Sequence, residues 1–279
     1  MKSVKIILLT LFAGLIFAQT SSSQSDVSKY KFGELTALAN KYGTDKGSMG
    51  HLYTEVYEYF FYPVKYDATK ICEIGIGEGA SLKMFRDYFP KSTVYGIDIL
   101  DKSKLNSDRI KTYIADQANR SQLKSFIDAN GCDFDIILDD GGHSMEQQQV
   151  SFGYLFKCVK PGGYYIIEDV HTSLDEPVEK EKWTTLSMIN NFVKTGKIES
   201  KYIIKEEADY LSENIRYCNL LVNRIIEDSI TCICKKKYNM SEKELVNTLP
   251  RINDSIPQQP AEKKAKPMPA SEKKIDASQ

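Results

Sequence analysis

Between Tyr30 and Lys237 two hydrophobic patterns alternate along the chain. Short apolar-rich runs end in glycines or acids and predict strands: KICEIGIG (70–77), STVYGIDI (92–99), RIKTYIADQ (109–117), FDIILDD (134–140) and YYIIEDV (164–170). Between them, SLKMFRDYF (81–89) and residues 121–128, 144–159 and 183–195 have the spacing of helices. A PGG at 161–163 resets the chain before the fifth strand, and IRYCNLLV (215–222) and SITCICKKK (229–237) predict two more. Apolar strands separated by helices predict an α/β fold, a parallel sheet with helices on both faces. The right-handed crossover rule makes it doubly wound.

In such sheets a ligand sits outside the carboxyl ends of the strands. The unusual residues gather there: Gly75 to Gly79, Asp98, Asp116, Asp139 to His143, and Glu168 with Asp169. The run DIILDDGGHSMEQ (135–147) ends its strand with two acids, two glycines and one of only three histidines in the chain. A strand that merely turned around would need one acid or one glycine.

The first strand ends EIGIGEGA (73–80), where glycines let a ligand approach the backbone. Two cofactor classes fit such a turn. Dinucleotides favour G-x-G-x-x-G, with a pyrophosphate on the helix N-terminus. The spacing here is G-x-G-x-G, with Glu73 two residues before the first glycine. That suits S-adenosylmethionine, which carries an ammonium and a sulfonium and no phosphate. Asp98 follows about twenty residues on, placed for ribose hydroxyls in either class. Asp116 and Gln117 are placed to edge an adenine, although such acids also serve as helix caps.

The ends of the chain differ from its middle. Lys2 and Lys5 precede an apolar run from Ile6 to Ala18, short of the roughly twenty residues that span a bilayer. This is the pattern of a secretory signal over 1–18, with an uncleaved signal-anchor as the alternative. It directs the chain to a secretory lumen or outside the cell, with no stable membrane span after cleavage. Residues 19–29 read as a linker, 30–238 as one globular domain, and 239–279 as an extension, disordered from about Ser255. A net charge of −1 over 279 residues gives no global field toward nucleic acid. Most of the six cysteines, Cys72, Cys132, Cys158, Cys218, Cys232 and Cys234, read as buried thiols, with Cys232 and Cys234 on one face of their strand. Sequons occur at Asn119, Asn239 and Asn253.

Several motifs, in this order, resemble the class I S-adenosylmethionine-dependent methyltransferases. More narrowly they resemble the metal-dependent sugar O-methyltransferases of macrolide and tetracenomycin biosynthesis, the mycinamicin VI 2''-O-methyltransferase type. The resemblance is carried by YGTDKGSMGHLYTEVYEYFF (42–61), CEIGIGEGASLKMFRDYFP (72–90), VYGIDI (94–99), ADQ (115–117), IILDDGGH (136–143) and PGGYYIIEDVHTS (161–173). It implies a Rossmann-like, mostly parallel seven-stranded sheet with an antiparallel C-terminal strand. It implies a methyl donor bound by Glu73, Gly75, Gly77, Gly79, Ser81, Asp98, Asp116, Gln117 and Asp139. It also implies Mg²⁺ or another divalent cation on Asp140, Glu168 and Asp169.

Chemistry gives the acids an independent reason. A sugar hydroxyl holds its proton tightly, and coordination to a hard cation lowers its pKa. His143, three residues after Asp140, resembles the family's proposed general base, and a neutral imidazole suits that task. Tyr42, Asp45, Lys46, His51, Tyr53 and His171 resemble lid or acceptor contacts, and Trp183 is either an acceptor contact or core. The implied partner is a small-molecule or glycan acceptor, in a monomer or a homo-oligomer. A catechol-type acceptor, and a secreted binding protein that keeps the fold without catalysis, are the alternatives. Two departures stand out. The family's DDGSH is DDGGH here, so Gly142 replaces a serine. The family's long N-terminal region, which forms its oligomer and part of its acceptor pocket, is represented by only a few tens of residues.

Overall fold

The structure is a computed structural model that describes residues 33–175, 177–180, 182–223 and 229–239. The expected signal segment, linker and tail lie outside the described residues, as does the Asn253 sequon. Two helices come first, α1 (Glu34–Tyr42) and α2 (Tyr53–Phe61). The alternating part follows as β1 (Lys70–Ile74), α3 (Ala80–Tyr88), β2 (Thr93–Asp98), β3 (Ile110–Ile114), α4 (Arg120–Asn130), β4 (Phe134–Asp139), α5 (Met145–Leu155) and β5 (Val159–Ile167). Helices α6 (Thr185–Thr195) and α7 (Lys205–Asn214) then lead to β6 (Ile215–Asn223) and β7 (Ser229–Lys236).

Seven strands form one sheet in the order β3-β2-β1-β4-β5-β7-β6. Strands β1 to β5 pair in parallel, and β7 runs antiparallel to both β5 and β6. The expected doubly wound sheet with one reversed C-terminal strand is therefore present. Side chains alternate across it, as the strand period of two requires. Cys72, Ile137 and Tyr165 face a core roofed by Phe126, Phe152, Met188 and Leu211 of α4 to α7. Ile71, Leu138, Ile166 and Ile233 face the opposite core, under Leu35, Tyr57 and Phe85 of α1 to α3. Burial on both faces is what continuous apolar runs in the central strands report. Caps set the helix starts beside the site. Asn119 Oδ1 accepts from the Ser121 and Gln122 amides at the start of α4, and Ser144 with Gln147 forms a capping box at the start of α5. Among the described residues no helix is long and apolar enough to cross a membrane.

Several features differ from the sequence reading, α1 and α2 among them. Helix α7 was not anticipated, because KEEADYLSEN buries only Leu211 fully and shows no apolar stripe. Strand β5 begins at Val159 and runs through the PGG, whose Gly162 takes a positive φ of 80° beside a register shift against β4. The cysteines are the clearest correction, since only Cys72 and Cys232 are free. Cys132 is joined to Cys158, and Cys218 to Cys234. Cys218 and Cys234 are direct cross-strand partners in the β6–β7 ladder, a juxtaposition set by register. Cys232 Sγ lies 3.6 Å from Cys234 Sγ, on the shared strand face that alternation predicts.

Candidate active site at the strand ends

The turn after β1 is held by backbone. Gly75 has φ 80° and donates its N–H to Ile97 O at 2.8 Å. A Cβ there would run into the Asp140 carbonyl and Gly141 Cα, so the β1 and β4 turns touch main chain to main chain. Asp98 ends β2 and accepts from the Ile76 N–H at 3.0 Å and the Leu100 N–H at 2.9 Å. Gln117 ties two turns together. Its Nε2 donates to Asp139 Oδ1 at 2.9 Å, and its Oε1 accepts the Gly142 N–H at 2.8 Å. Asp139 is buried and also accepts from the Ser151 hydroxyl and from the Gly141 N–H at 3.2 Å. Burial pushes its carboxyl up to about 6, against the pull of these donors. Glu73, also buried, accepts the Ser81 hydroxyl at 2.6 Å, and burial pushes it up to about 7 despite Lys46 and Ser81.

The ends of β4 and β5 place acids around one ammonium. Lys46 is 1% exposed. Its Nζ bonds Asp140 Oδ2, lies 2.9 Å from Glu168 Oε2 and 3.6 Å from Glu73 Oε1. Burial alone would lower its pKa, but these three carboxylates outweigh that and hold it well above the usual lysine value. Glu168 is held up by burial and by the charge on Asp140, against Lys46 and Tyr57. Its second oxygen accepts the Tyr57 hydroxyl at 2.7 Å.

Asp169 and His143 both occupy the left-handed region, at φ 54° and 56°. Such backbone is costly for residues with a side chain and clusters at functional sites. His143 Nε2 stands 3.4 Å from Asp169 Oδ2 and 3.8 Å from Asp140 Oδ1. Tyr53 donates its hydroxyl to Asp169 Oδ1 at 2.7 Å, and His171 Nδ1 lies 3.9 Å from that same oxygen. His51 stacks on Tyr53 at 5.2 Å and lies 6.5 Å from the His171 ring. His143 and His171 thus lie beside Asp169, and His51 stacks on the Tyr53 that bonds it.

These elements border a cavity of about 650 Å³. Of the residues expected from sequence, Asp45, Lys46, Gly75, Gly77, Ser81, Asp98, Asp116, Gln117, Asp140, His143 and Asp169 line it. Glu73, Asp139 and Glu168 are buried behind that lining. Gly79 starts α3, with Leu105 against its α-carbon. His51, Tyr53 and His171 form the aromatic group beside Asp169. Tyr42 is not brought to the cavity, since its hydroxyl bonds Asp87 and lies 3.2 Å from Arg86 Nη2. Trp183 is half-buried, its carbonyl accepting from Gln149 at 2.7 Å. Sequence reasoning missed Tyr57 and Ser151. Tyr57 lies one turn after Tyr53 on α2, an i, i+4 spacing that puts both hydroxyls on one helix face.

The donor set at the acid end fits a divalent cation. One ligand atom each from Asp140, His143 and Asp169 lie within 4.8 Å of one another. His143 Nδ1 is buried without a hydrogen-bond partner. Two carboxylates and an imidazole suit hard to borderline divalent ions. One ammonium cannot neutralise the surrounding carboxylates, so the cluster is short of positive charge.

No family model matches the chain. A 146-residue stretch is 40% identical to the 8-demethyl-8-alpha-L-rhamnosyl tetracenomycin-C 2'-O-methyltransferase of Streptomyces olivaceus, covering 50% of this chain and 38% of that one. Over 195 residues it is 32% identical to the L-olivosyl-oleandolide 3-O-methyltransferase of Streptomyces antibioticus, covering 65% of this chain and 50% of the relative. The chain thus spans half or less of the length of the curated relatives it matches. Among solved structures, it superposes on the MycE methyltransferase of the mycinamycin pathway, in complex with Mg, SAH and mycinamycin VI. That match has a TM-score of 0.63 and 27% identity, over 75% of this chain and 56% of the other. The fold is that of a class I methyltransferase. Within this methyltransferase fold, the glycine turn of β1 and the acids after β4 and β5 line one cavity.

Proposed function

We propose that the chain is an S-adenosylmethionine-dependent, divalent-metal-assisted O-methyltransferase acting on a hydroxyl of a sugar or glycoside. The observation that carries this reading is the convergence of Asp140, His143 and Asp169 in the wall of a cavity that the Gly75–Gly77 turn also lines. The relatives' sugar substrates and the MycE ligands support it. Gly75, Gly77, Ser81, Asp98, Asp116 and Gln117 would hold the donor, with Glu73 and Asp139 behind them. The bound donor supplies an electrophilic methyl group. Asp140 and Asp169, with Glu168 behind them, would hold Mg²⁺ or a similar ion, which lowers the pKa of a coordinated hydroxyl.

The protein's own contribution is alignment and proton handling. His143 Nε2 faces the cavity between Asp140 and Asp169 and takes the acceptor's proton there. Tyr53 fixes one Asp169 oxygen and leaves the other toward His143. The aromatic group of His51, Tyr53 and His171 offers ring faces to an acceptor beside Asp169, and the acceptor is a glycan or small glycoside. The two disulfides support work in an oxidising compartment, consistent with entry into a secretory pathway.

Calorimetric titration with S-adenosylhomocysteine, with and without Mg²⁺, tests the donor assignment. Binding is expected, and a folded chain that binds under neither condition would favour the non-catalytic reading. Asp140→Ala should abolish metal-dependent turnover while leaving S-adenosylhomocysteine affinity within a few-fold. His143→Ala should slow methyl transfer by about 10²–10⁴-fold with donor affinity little changed. An unaltered rate would assign the proton to another group.

A further inference from the structure

We propose that Thr172 is a positioning residue for His143: its hydroxyl clasps the backbone carbonyls of His143 and Asp169 together and so fixes the imidazole against the Asp169 carboxylate. This rests on the reading above, in which His143 takes the acceptor's proton.

His143 lies in the turn after β4, and Asp169 in the turn after the neighbouring strand β5. Both stand in left-handed backbone, at φ 56° and 54°. A residue with a side chain leaves that region unless its surroundings hold it there. Thr172 supplies such a hold. Its hydroxyl donates to the His143 carbonyl at 3.1 Å and to the Asp169 carbonyl at 2.9 Å, one proton shared between two acceptors. The Thr172 N–H already serves the Asp169 carbonyl, at 3.1 Å. The hydroxyl is thus the added contact, the one that reaches across to the turn after β4. A carbonyl held in place fixes its peptide plane, and with it the direction of the adjoining Cα–Cβ bond. On that footing His143 Nε2 stands 3.4 Å from Asp169 Oδ2. The other ring nitrogen, Nδ1, is buried with no hydrogen-bond partner, so the backbone must orient the ring. Threonine also suits the task better than serine, because its β-branch stiffens χ1 and aims the hydroxyl one way.

The chain holds only three histidines, so ring-labelled histidine gives three signals in ¹H–¹³C NMR, with neither metal nor turnover needed. His143→Ala assigns the signal of His143. At one fixed pH, Thr172→Val, which keeps the shape and removes the hydroxyl, should shift or broaden that signal and leave the His51 signal in place. Thr172→Ser should restore it. An unmoved His143 signal overturns the proposal, and so does a His51 signal that moves as far, since that is general loosening. Should Thr172→Val fail to fold by circular dichroism, Thr172→Ala removes the same hydroxyl and takes its place. Methyl transfer to methyl α-L-rhamnoside adds a second arm. Thr172→Val should lower kcat at least about tenfold, as misplacing a reacting group does, while KM changes less than about threefold. In a His143→Ala background the same substitution should add less than about twofold, because the group it positions is gone. Equal slowing in both backgrounds overturns the proposal, by tracing the effect to Asp169, and leaves the methyltransferase reading standing. A wild-type chain that neither binds S-adenosylhomocysteine nor transfers a methyl group overturns both.

Discussion

On the donor side of the cavity Asp98, Gln117 and the Gly75 turn are bonded from within the chain. Asp98 accepts two backbone N–H groups, both ends of the Gln117 amide are used, and the Gly75 turn rests on the backbone of the neighbouring turn. At the acid end the balance is different. Several carboxylates share one ammonium, His143 Nδ1 has no partner, and both His143 and Asp169 sit in left-handed backbone. A site whose hydrogen bonds are closed before any ligand arrives is pre-organised for shape. A site left short of positive charge is organised for an ion and a proton. One sheet edge can serve both purposes because neighbouring strand ends are built from different material, main chain on one side and charge on the other.

The largest expected effect breaks the donor end. Gly75→Ala would place a Cβ against the Asp140 carbonyl at φ 80°. Strain and overpacking together should cost about 4 kcal/mol and abolish S-adenosylhomocysteine binding. Gly77 is the control, because it has a positive φ of 52° but open space where a Cβ would go. Gly77→Ala should therefore cost only about 1 kcal/mol, the strain alone. Denaturant titration of both variants gives the answer. Equal losses would mean that backbone contact between the two turns does not hold the donor end together.

Much of this division was legible in the sequence, and what was not has a physical reason. Strands β1 to β5 announce themselves because burial on both faces demands continuous apolar runs, and their ends stand out because acids and glycines interrupt those runs. The donor-side glycines and Asp98, Asp140, His143 and Asp169 follow from that position. The destination of Lys46 does not. It lies in a segment before α2 and reaches acids about a hundred residues away in sequence, so no local period records the contact. The inward turn of Glu168 and Asp139 is hidden for the same reason, since D-D and E-D pairs look alike whichever member faces the cavity. The disulfides depend on pairing register, which six scattered cysteines do not encode. Helix α7 escaped because it offers one buried leucine to a pattern that needs several.

A second test sits at the seam between the two ends, where Glu73 meets both Ser81 and Lys46. Its carboxyl is pushed from 4.5 up to about 7, chiefly by burial. The folded state therefore binds this proton more tightly than the open chain does. The associated stability is fully present below about pH 4.5 and is lost as pH rises through about 7. The full difference is about 3 kcal/mol. Glu73→Gln cannot ionise, so its stability should fall less than that of the wild type across this window. Urea titrations at several pH values would show it. Parallel profiles for the two proteins would mean that Glu73 is not the group that titrates.

The smallest expected effect sharpens the comparison at the turn between the ends, where this chain has DDGGH and the resembling family has DDGSH. Gly142 is not in left-handed backbone, so a side chain there is not excluded by φ. What a Cβ would meet is the amide end of Gln147, the group that accepts the Ser144 N–H at 3.3 Å in the capping box of α5. The far end of a glutamine moves easily, so Gly142→Ser should cost no more than about 1 kcal/mol, the worth of a disturbed cap. Metal and donor affinity should stay as they are, because neither Asp140 nor His143 depends on that amide. A double-variant cycle makes the cause visible. In a Gln147→Ala background the side-chain half of the capping box is already lost and the space is open, so Gly142→Ser should add almost nothing. Simple additivity of the two losses would mean that the glycine and the glutamine do not compete for the same space, and the absent serine would then need a different account.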